Sequence, residues 1–239
     1  MQGRSTRASL SGEAYTIVRH RILRGELKLG QVISRRTLAN QLGMSFLPVS
    51  EALLKLEAEG LLESRPRAGT RVRIPTPQDV EGHYVVREAL EMQAARLFCE
   101  RATPQEKEQL KVLAEQVDAL APEPDTDRFR YLTLHEKLHR KIAEYGRCRA
   151  LSAAIEQTHA LASTWMCVGG SGHAPRRHQT LIAALVSGDP AVAAEAMREH
   201  VRSSQQDALS RLNPYFKLQK TRGTHYTRGS KKQLPQAGE

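Results

Sequence analysis

Residues 27–63 read LKLGQVISRRTLANQLGMSFLPVSEALLKLEAEGLLE, and this stretch decides the fold of the first part of the chain. A short helical pattern, SRRTLANQLG, ends at Gly43, and a second begins after Ser45, a favourable N-cap residue, with Pro48 in its first turn. Apolar residues recur at helical spacing as far as Leu56. Two helices joined by a tight turn predict a helix-turn-helix, whose second helix enters the DNA major groove.

The flanking segments complete a winged form of this motif. AYTIVRHRIL at residues 14–23 has one apolar helical face, and LLESRPRAGTRVRI at residues 61–74 alternates around a Pro and a Gly, which predicts a basic hairpin. We therefore predict a winged helix-turn-helix domain over residues 1–76. The alternative is a generic three-helix core.

The charge distribution separates the ends of the chain from its middle. The 239 residues carry a net charge of +10, with +7 in residues 1–76, −3 in residues 77–210 and +6 in residues 211–239. Basic ends predict binding to a polyanion, and double-stranded DNA fits the motif. The chain has no stretch near 18 consecutive apolar residues and no signal-peptide h-region at its start, so we expect no membrane partner and a cytoplasmic location.

Residues 77–212 predict six helices, separated by Pro- and Gly-containing breaks, that form an antiparallel bundle. The first helix carries an apolar stripe of Val86, Leu90, Ala94 and Leu97, and TPQE at residues 103–106 is a capping box. Residues 213–239 lack periodicity and predict a disordered basic tail. The expected fold class is mainly α: a winged helix-turn-helix domain followed by the six-helix bundle.

Four sequence segments of the second part, added to residues 27–63, carry a resemblance to a known family. They are VVREALEMQAARL (85–97), HEKLHRKIAEY (135–145), RRHQTLIAALVSGDP (176–190) and AMREHV (196–201). The chain resembles the GntR family of bacterial transcription regulators, in its FadR-like branch with an all-helical (FCD-type) ligand-binding domain. The resemblance implies a homodimeric regulator, most simply a repressor, that binds a pseudo-palindromic operator and responds to a small carboxylate metabolite bound in the bundle.

The resemblance also implies which residues contact DNA. The family has Arg where this chain has Phe46 and again where it has Ser50, so we expect a different operator preference. Phe46 and Leu47 could pack against a thymine methyl, or they are exposed apolar residues without consequence. The DNA-binding candidates are Arg36, Ser45, Phe46, Leu47, Ser50, Arg65, Arg67 and Gly69.

A metal site is implied in the bundle, where many relatives bind a divalent cation through an Asp and three His. His139, His178 and His200 match the three histidines, and His135 replaces the Asp. Imidazole ligands favour zinc or nickel, and four neutral ligands would leave the centre near +2. The alternative is a histidine-lined pocket that has lost its metal together with the Asp. His159 is expected to lie in the core or around the site.

Two further alternatives concern function and the effector. HEKLH at residues 135–139 fits the H-E-x-x-H pattern of zinc peptidases, so a zinc-dependent hydrolase is a competing interpretation, as is a non-specific nucleic-acid-binding protein. Arg87 is the effector-binding candidate, because relatives often direct an Arg there at the carboxylate of the ligand. Its alternative role is an ion pair with Glu91, one helical turn away.

Overall fold

A computed structural model describes residues 7–65, 69–120, 128–167 and 177–227. Its first part contains three helices and a small sheet, as the sequence predicts for a winged helix-turn-helix. The elements in chain order are α1 (Arg7–Leu23), β1 (Val32–Ile33), α2 (Arg35–Leu42), α3 (Phe46–Ala58), β2 (Leu62–Arg65) and β3 (Gly69–Val72).

Local capping fixes the turn between α2 and α3. The Ser34 hydroxyl accepts a hydrogen bond from the Thr37 backbone N–H at the start of α2. Gly43 ends α2 in the left-handed conformation at φ 63°, where a side chain would be strained. Ser45 occupies the N-cap position of α3 as predicted, but its side chain makes no capping hydrogen bond.

The wing is a three-stranded antiparallel sheet in the order β1-β3-β2, one strand more than the predicted hairpin. In β1, Val32 pairs with Arg71 and Ile33 with Thr70. Between β2 and β3, Leu62 pairs with Val72. Leu62 and Val72 are both buried, which anchors the sheet to the core under the three helices.

The second part is the predicted bundle of six helices, in which α4 packs along α9. Both α4 and α5 begin with a capping box: Thr76 with Asp79, and Thr103 with Glu106. The second box confirms the sequence prediction. The helices are α4 (Pro77–Arg101), α5 (Pro104–Leu120), α6 (Arg128–Tyr145), α7 (Arg149–Met166), α8 (Arg177–Val186) and α9 (Pro190–Thr227).

The buried face of α4 is not the one expected from apolar residues alone. Val86, placed in the buried stripe by the sequence, is 50% exposed, whereas Arg87 and Glu91 are buried. Hydropathy misplaces the face because the two buried charges pair with each other (Arg87 Nη2 to Glu91 Oε1, 2.7 Å) and so tolerate the bundle interior.

The last helix corrects the prediction of a disordered tail from residue 213. The helix α9 continues to Thr227, with Pro214 inside it. Phe216 is 9% exposed and packs with Leu212 and Tyr215 against the bundle core, and this apolar contact supports the helix beyond the proline. Residues 228–239 lie outside the described residues.

The two parts of the chain touch along α1. Arg19 Nη2 lies 2.5 Å from Glu136 Oε1 on α6, and both side chains are less than one fifth exposed. The His20 ring meets Phe129 edge-on, with 4.7 Å between the ring centroids. The first helix of the winged domain therefore rests directly on the helix that carries HEKLH.

Candidate metal centre and nucleic-acid interface

Four histidines from three helices converge inside the bundle, as the sequence predicts. His135 and His139 share the inner face of α6, while His178 comes from the start of α8 and His200 from the first third of α9. None is more than 5% exposed. One ring nitrogen from each of the four lies within 4.8 Å of the others. Burial and the neighbouring imidazoles lower the pKa of His135 well below its usual value, so this ligand candidate is neutral.

The spacing of the ring nitrogens suits a small cation. His139 Nε2 lies 3.3 Å from His135 Nε2 and 3.2 Å from His200 Nε2. Nitrogen ligands of a tetrahedral zinc ion, at bonds of about 2.0–2.1 Å, are separated by about 3.3–3.4 Å. The donor set and its spacing therefore fit a transition-metal ion such as zinc.

Two buried carboxylates lie behind the histidines, and both were missed by the sequence analysis. Glu91 Oε2 on α4 is 2.5 Å from His139 Nδ1, and Asp118 Oδ1 on α5 is 2.6 Å from His178 Nδ1. The contact of Asp118 with His178 is a hydrogen bond to the carboxylate, which places a proton on Nδ1 of His178 and leaves the lone pair on its Nε2. In His139, Nε2 is the nitrogen that faces the cluster.

These carboxylates correct the expected charge of the centre. The sequence predicts four neutral ligands and an uncompensated charge near +2, because His135 replaces an acidic ligand. Glu91 and Asp118 add two negative charges that contact the Nδ1 atoms of His139 and His178, on the side of each ring away from the cluster. Compensation therefore comes through the imidazoles rather than from a coordinated carboxylate.

Glu91 also holds Arg87, which is fully buried. Burial by itself raises the pKa of the Glu91 carboxyl, but the charge of Arg87 and the nearby His139 and His159 offset it and hold that pKa well below its usual value. His159 Nε2 lies 3.5 Å from Glu91 Oε1, which places this histidine beside the cluster as expected. The structure thus shows the ion-pair alternative for Arg87, in a buried form.

Glu136, the glutamate of the H-E-x-x-H pattern, does not face the histidine cluster. Its carboxylate pairs with Arg19 on the neighbouring domain. A zinc peptidase needs this glutamate beside the metal-bound water to act as general base, with three protein ligands and an open position. The geometry around HEKLH is therefore unlike that of a hydrolase.

The DNA-binding candidates divide into exposed and buried residues. Ser45, at the start of α3, and Arg36, Arg65 and Gly69, on α2 and the wing, are exposed. Ser50 is only 8% exposed, and its hydroxyl finds no hydrogen-bond partner among the described residues, so its role as a DNA contact stays a prediction. Phe46 is 55% exposed and Leu47 46% exposed. Arg67 lies outside the described residues.

A winged helix-turn-helix joined to a helical bundle with a buried histidine cluster defines a transcription regulator with a separate sensing domain. Residues 10–72 match the family described as "Bacterial regulatory proteins, gntR family", and residues 83–203 match the "FCD domain". The chain belongs to the GntR family, in the FadR-like branch that carries a C-terminal FCD domain, and it is not an enzyme.

Individual relatives agree with this assignment. The chain is 30% identical over 202 residues to the "Probable D-xylose utilization operon transcriptional repressor" of Paenarthrobacter nicotinovorans, covering 83% of this chain and 88% of the relative. Its fold is similar to that of E. coli McbR/YncC (TM-score 0.69, 22% identity, 84% of this chain and 98% of that one). A putative GntR regulator from Rhodococcus sp. RHA1 has the same fold (TM-score 0.70, 19% identity, 84% and 97%). None of the described helices is long and apolar enough to cross a bilayer.

Proposed function

We propose that the protein is a homodimeric, ligand-responsive repressor in the bacterial cytoplasm that binds a pseudo-palindromic operator. The repressor assignment rests on the similarity to a repressor of sugar utilisation. A two-fold dimer matches the two half-sites that helix-turn-helix proteins contact. Val85 and Val86 support a contact between protomers, because these adjacent apolar residues on α4 are 67% and 50% exposed.

A divalent metal, zinc or nickel, is proposed for the histidine cluster. The observation that carries this proposal is the convergence of His135, His139, His178 and His200, with carboxylates behind two of the rings. The four imidazoles would hold the ion, and Glu91 and Asp118 would keep two rings in the tautomer that presents Nε2. When bound, the cation supplies a positive centre for an anionic ligand.

The proposed effector is a small carboxylate, and two features support where it acts. Arg87 is a buried cation whose partner Glu91 touches His139, so a second carboxylate reaching this region would compete for the same charges. A cavity of about 180 Å³ lies at the junction of the two domains. Its lining includes Arg19 from the winged domain and His159 from the bundle. Ligand bound there would contact both domains.

Helix α6 is the proposed link between the sensing site and DNA. It carries His135 and His139 on its inner face and Glu136 against Arg19 of α1. A change in the position of α6 on ligand binding would therefore reach the winged domain through the Glu136–Arg19 ion pair and the contact between Phe129 and His20. The coupling expected for such regulators is about 5- to 150-fold in affinity.

Selection of bound DNA from a random pool tests the proposed function. The full-length chain should recover an inverted repeat, because a two-fold dimer presents two copies of α3. The Arg65→Ala variant should bind the recovered sequence and scrambled DNA more weakly by the same factor, since Arg65 serves as a backbone contact. A pool that shows no enriched motif would contradict the regulator and favour non-specific binding.

A further inference from the structure

The start of the recognition helix α3 exposes a pair of large apolar side chains. Phe46 and Leu47 are its first two residues and are 55% and 46% exposed. The apolar residues that follow on the inner face, Val49 and Leu53, are completely buried. The domain core is therefore formed without Phe46 and Leu47, which project from the end of the helix that meets DNA.

The surroundings of this pair favour a nucleic-acid partner. The first turn of α3 contains no acidic residue, and Ser45 beside it is exposed. Residues 1–76 carry a net charge of +7, and the exposed Arg36 and Arg65 belong to the same small domain. A second protein of similar charge would be repelled, whereas the phosphates of a duplex are attracted.

We propose that Phe46 and Leu47 read the C5-methyl groups of thymines in each operator half-site. The N-terminal residues of a helix-turn-helix recognition helix contact base edges in the major groove. Phe and Leu side chains have no hydrogen-bonding group, and the thymine methyl is the apolar group that a base presents in that groove. Ser50, one turn further along, is only 8% exposed.

This inference rests on the proposed operator binding and deepens it by naming the bases that are read. Removing one methyl from a buried apolar contact should weaken binding about fourfold, from roughly 0.8 kcal/mol per carbon. A dimer contacts both half-sites, so changing the equivalent thymine in each should weaken binding on the order of tenfold.

The test replaces thymine by deoxyuridine, one symmetric pair of positions at a time, in the sequence selected by the full-length protein. This removes only the methyl groups and leaves the protein and all base hydrogen bonds unchanged. Wild-type protein should lose affinity at one or two positions of each half-site. Phe46→Ala and Leu47→Ala should bind the thymine operator more weakly and no longer distinguish thymine from uracil at the position that each side chain reads.

Val192→Ala is the matched control, because Val192 is an apolar residue of the bundle that is 48% exposed. It should keep the full preference for thymine. Equal binding of wild-type protein to every thymine and uracil operator would overturn the inference while leaving sequence-specific binding intact. So would a preference for thymine that persists unchanged in both Phe46→Ala and Leu47→Ala. If no operator can be selected, the proposed function and this inference fail together.

Discussion

Replacing Asp118 by Asn removes one negative charge behind the histidine cluster and keeps the shape of the side chain. Asp118 Oδ1 lies 2.6 Å from His178 Nδ1, and an Asn oxygen at this place still accepts the ring N–H. The imidazole then keeps its tautomer but loses the carboxylate that makes Nε2 more basic. We therefore expect an effect on metal affinity with little effect on folding.

The expected loss of metal affinity follows from the position of Asp118, which is hydrogen-bonded to the ligand candidate His178 but is not itself a ligand candidate. Mutation of the residue that supports a metal ligand from behind typically lowers metal affinity 10- to 100-fold, or about 1.4–2.8 kcal/mol. Competition with a zinc indicator at pH 7.5 would measure this for the full chain. His139→Ala, which deletes a ligand candidate, should lose more affinity than Asp118→Asn.

Glu115→Gln provides the control for charge alone. Glu115 lies on the same helix, one turn earlier, and is exposed. It should bind zinc like the wild type, because an exposed charge is screened by water and salt. If Asp118→Asn and Glu115→Gln both match the wild type, the carboxylate does not support a metal ligand and the reasoning for the centre is refuted.

Three further outcomes are expected. Glu91→Gln should lower the free energy of unfolding by about 3–5 kcal/mol in urea denaturation, because it leaves Arg87 buried without its charge partner; a smaller loss than about 1 kcal/mol would contradict the buried pair. Burial, together with the charge of Arg87, lowers the pKa of His83 to about 4, although its bond to the Thr158 carbonyl and Glu91 oppose the shift. The unfolded chain, with a His pKa near 6.5, takes up this proton first, so His83 contributes a loss of stability of up to about 1.4 kcal/mol per pH unit as pH falls from about 6.5 to about 4. His83→Gln should flatten that part of the pH profile, and an unchanged slope would refute the assignment. For Arg65→Ala, the dependence of DNA affinity on salt should fall by about one unit in log-log slope, and an unchanged slope would exclude a phosphate contact.

The parts of the fold that the sequence predicts are those specified by local signals. Gly43 in the left-handed conformation separates α2 from α3, and the Thr103–Glu106 capping box starts α5. By contrast, β1 is two residues long and exists through pairing with β3, some 40 residues later, which no local pattern shows. The length of α9 was underestimated because residues 213–239 lack hydrophobic periodicity, whereas burial of Phe216 supports the helix.

The candidate site shows the same limit. His135, His139, His178 and His200 could be placed together because the resemblance implies a metal site at these four positions, and the structure buries all four. Their carboxylate partners come from other helices, with 60 residues between Asp118 and His178. A buried charged residue breaks the apolar pattern of its own helix, so hydropathy assigns it to the surface until the partner is known.

The most direct test of metal control over DNA binding is to measure the operator affinity of the full chain before and after loading with zinc. Fluorescence anisotropy with the selected operator should show the dissociation constant changing by a factor within about 5–150 on loading, and His139→Ala should show no such change. Equal operator affinity for the metal-free and zinc-loaded wild type would contradict control of DNA binding through the histidine cluster.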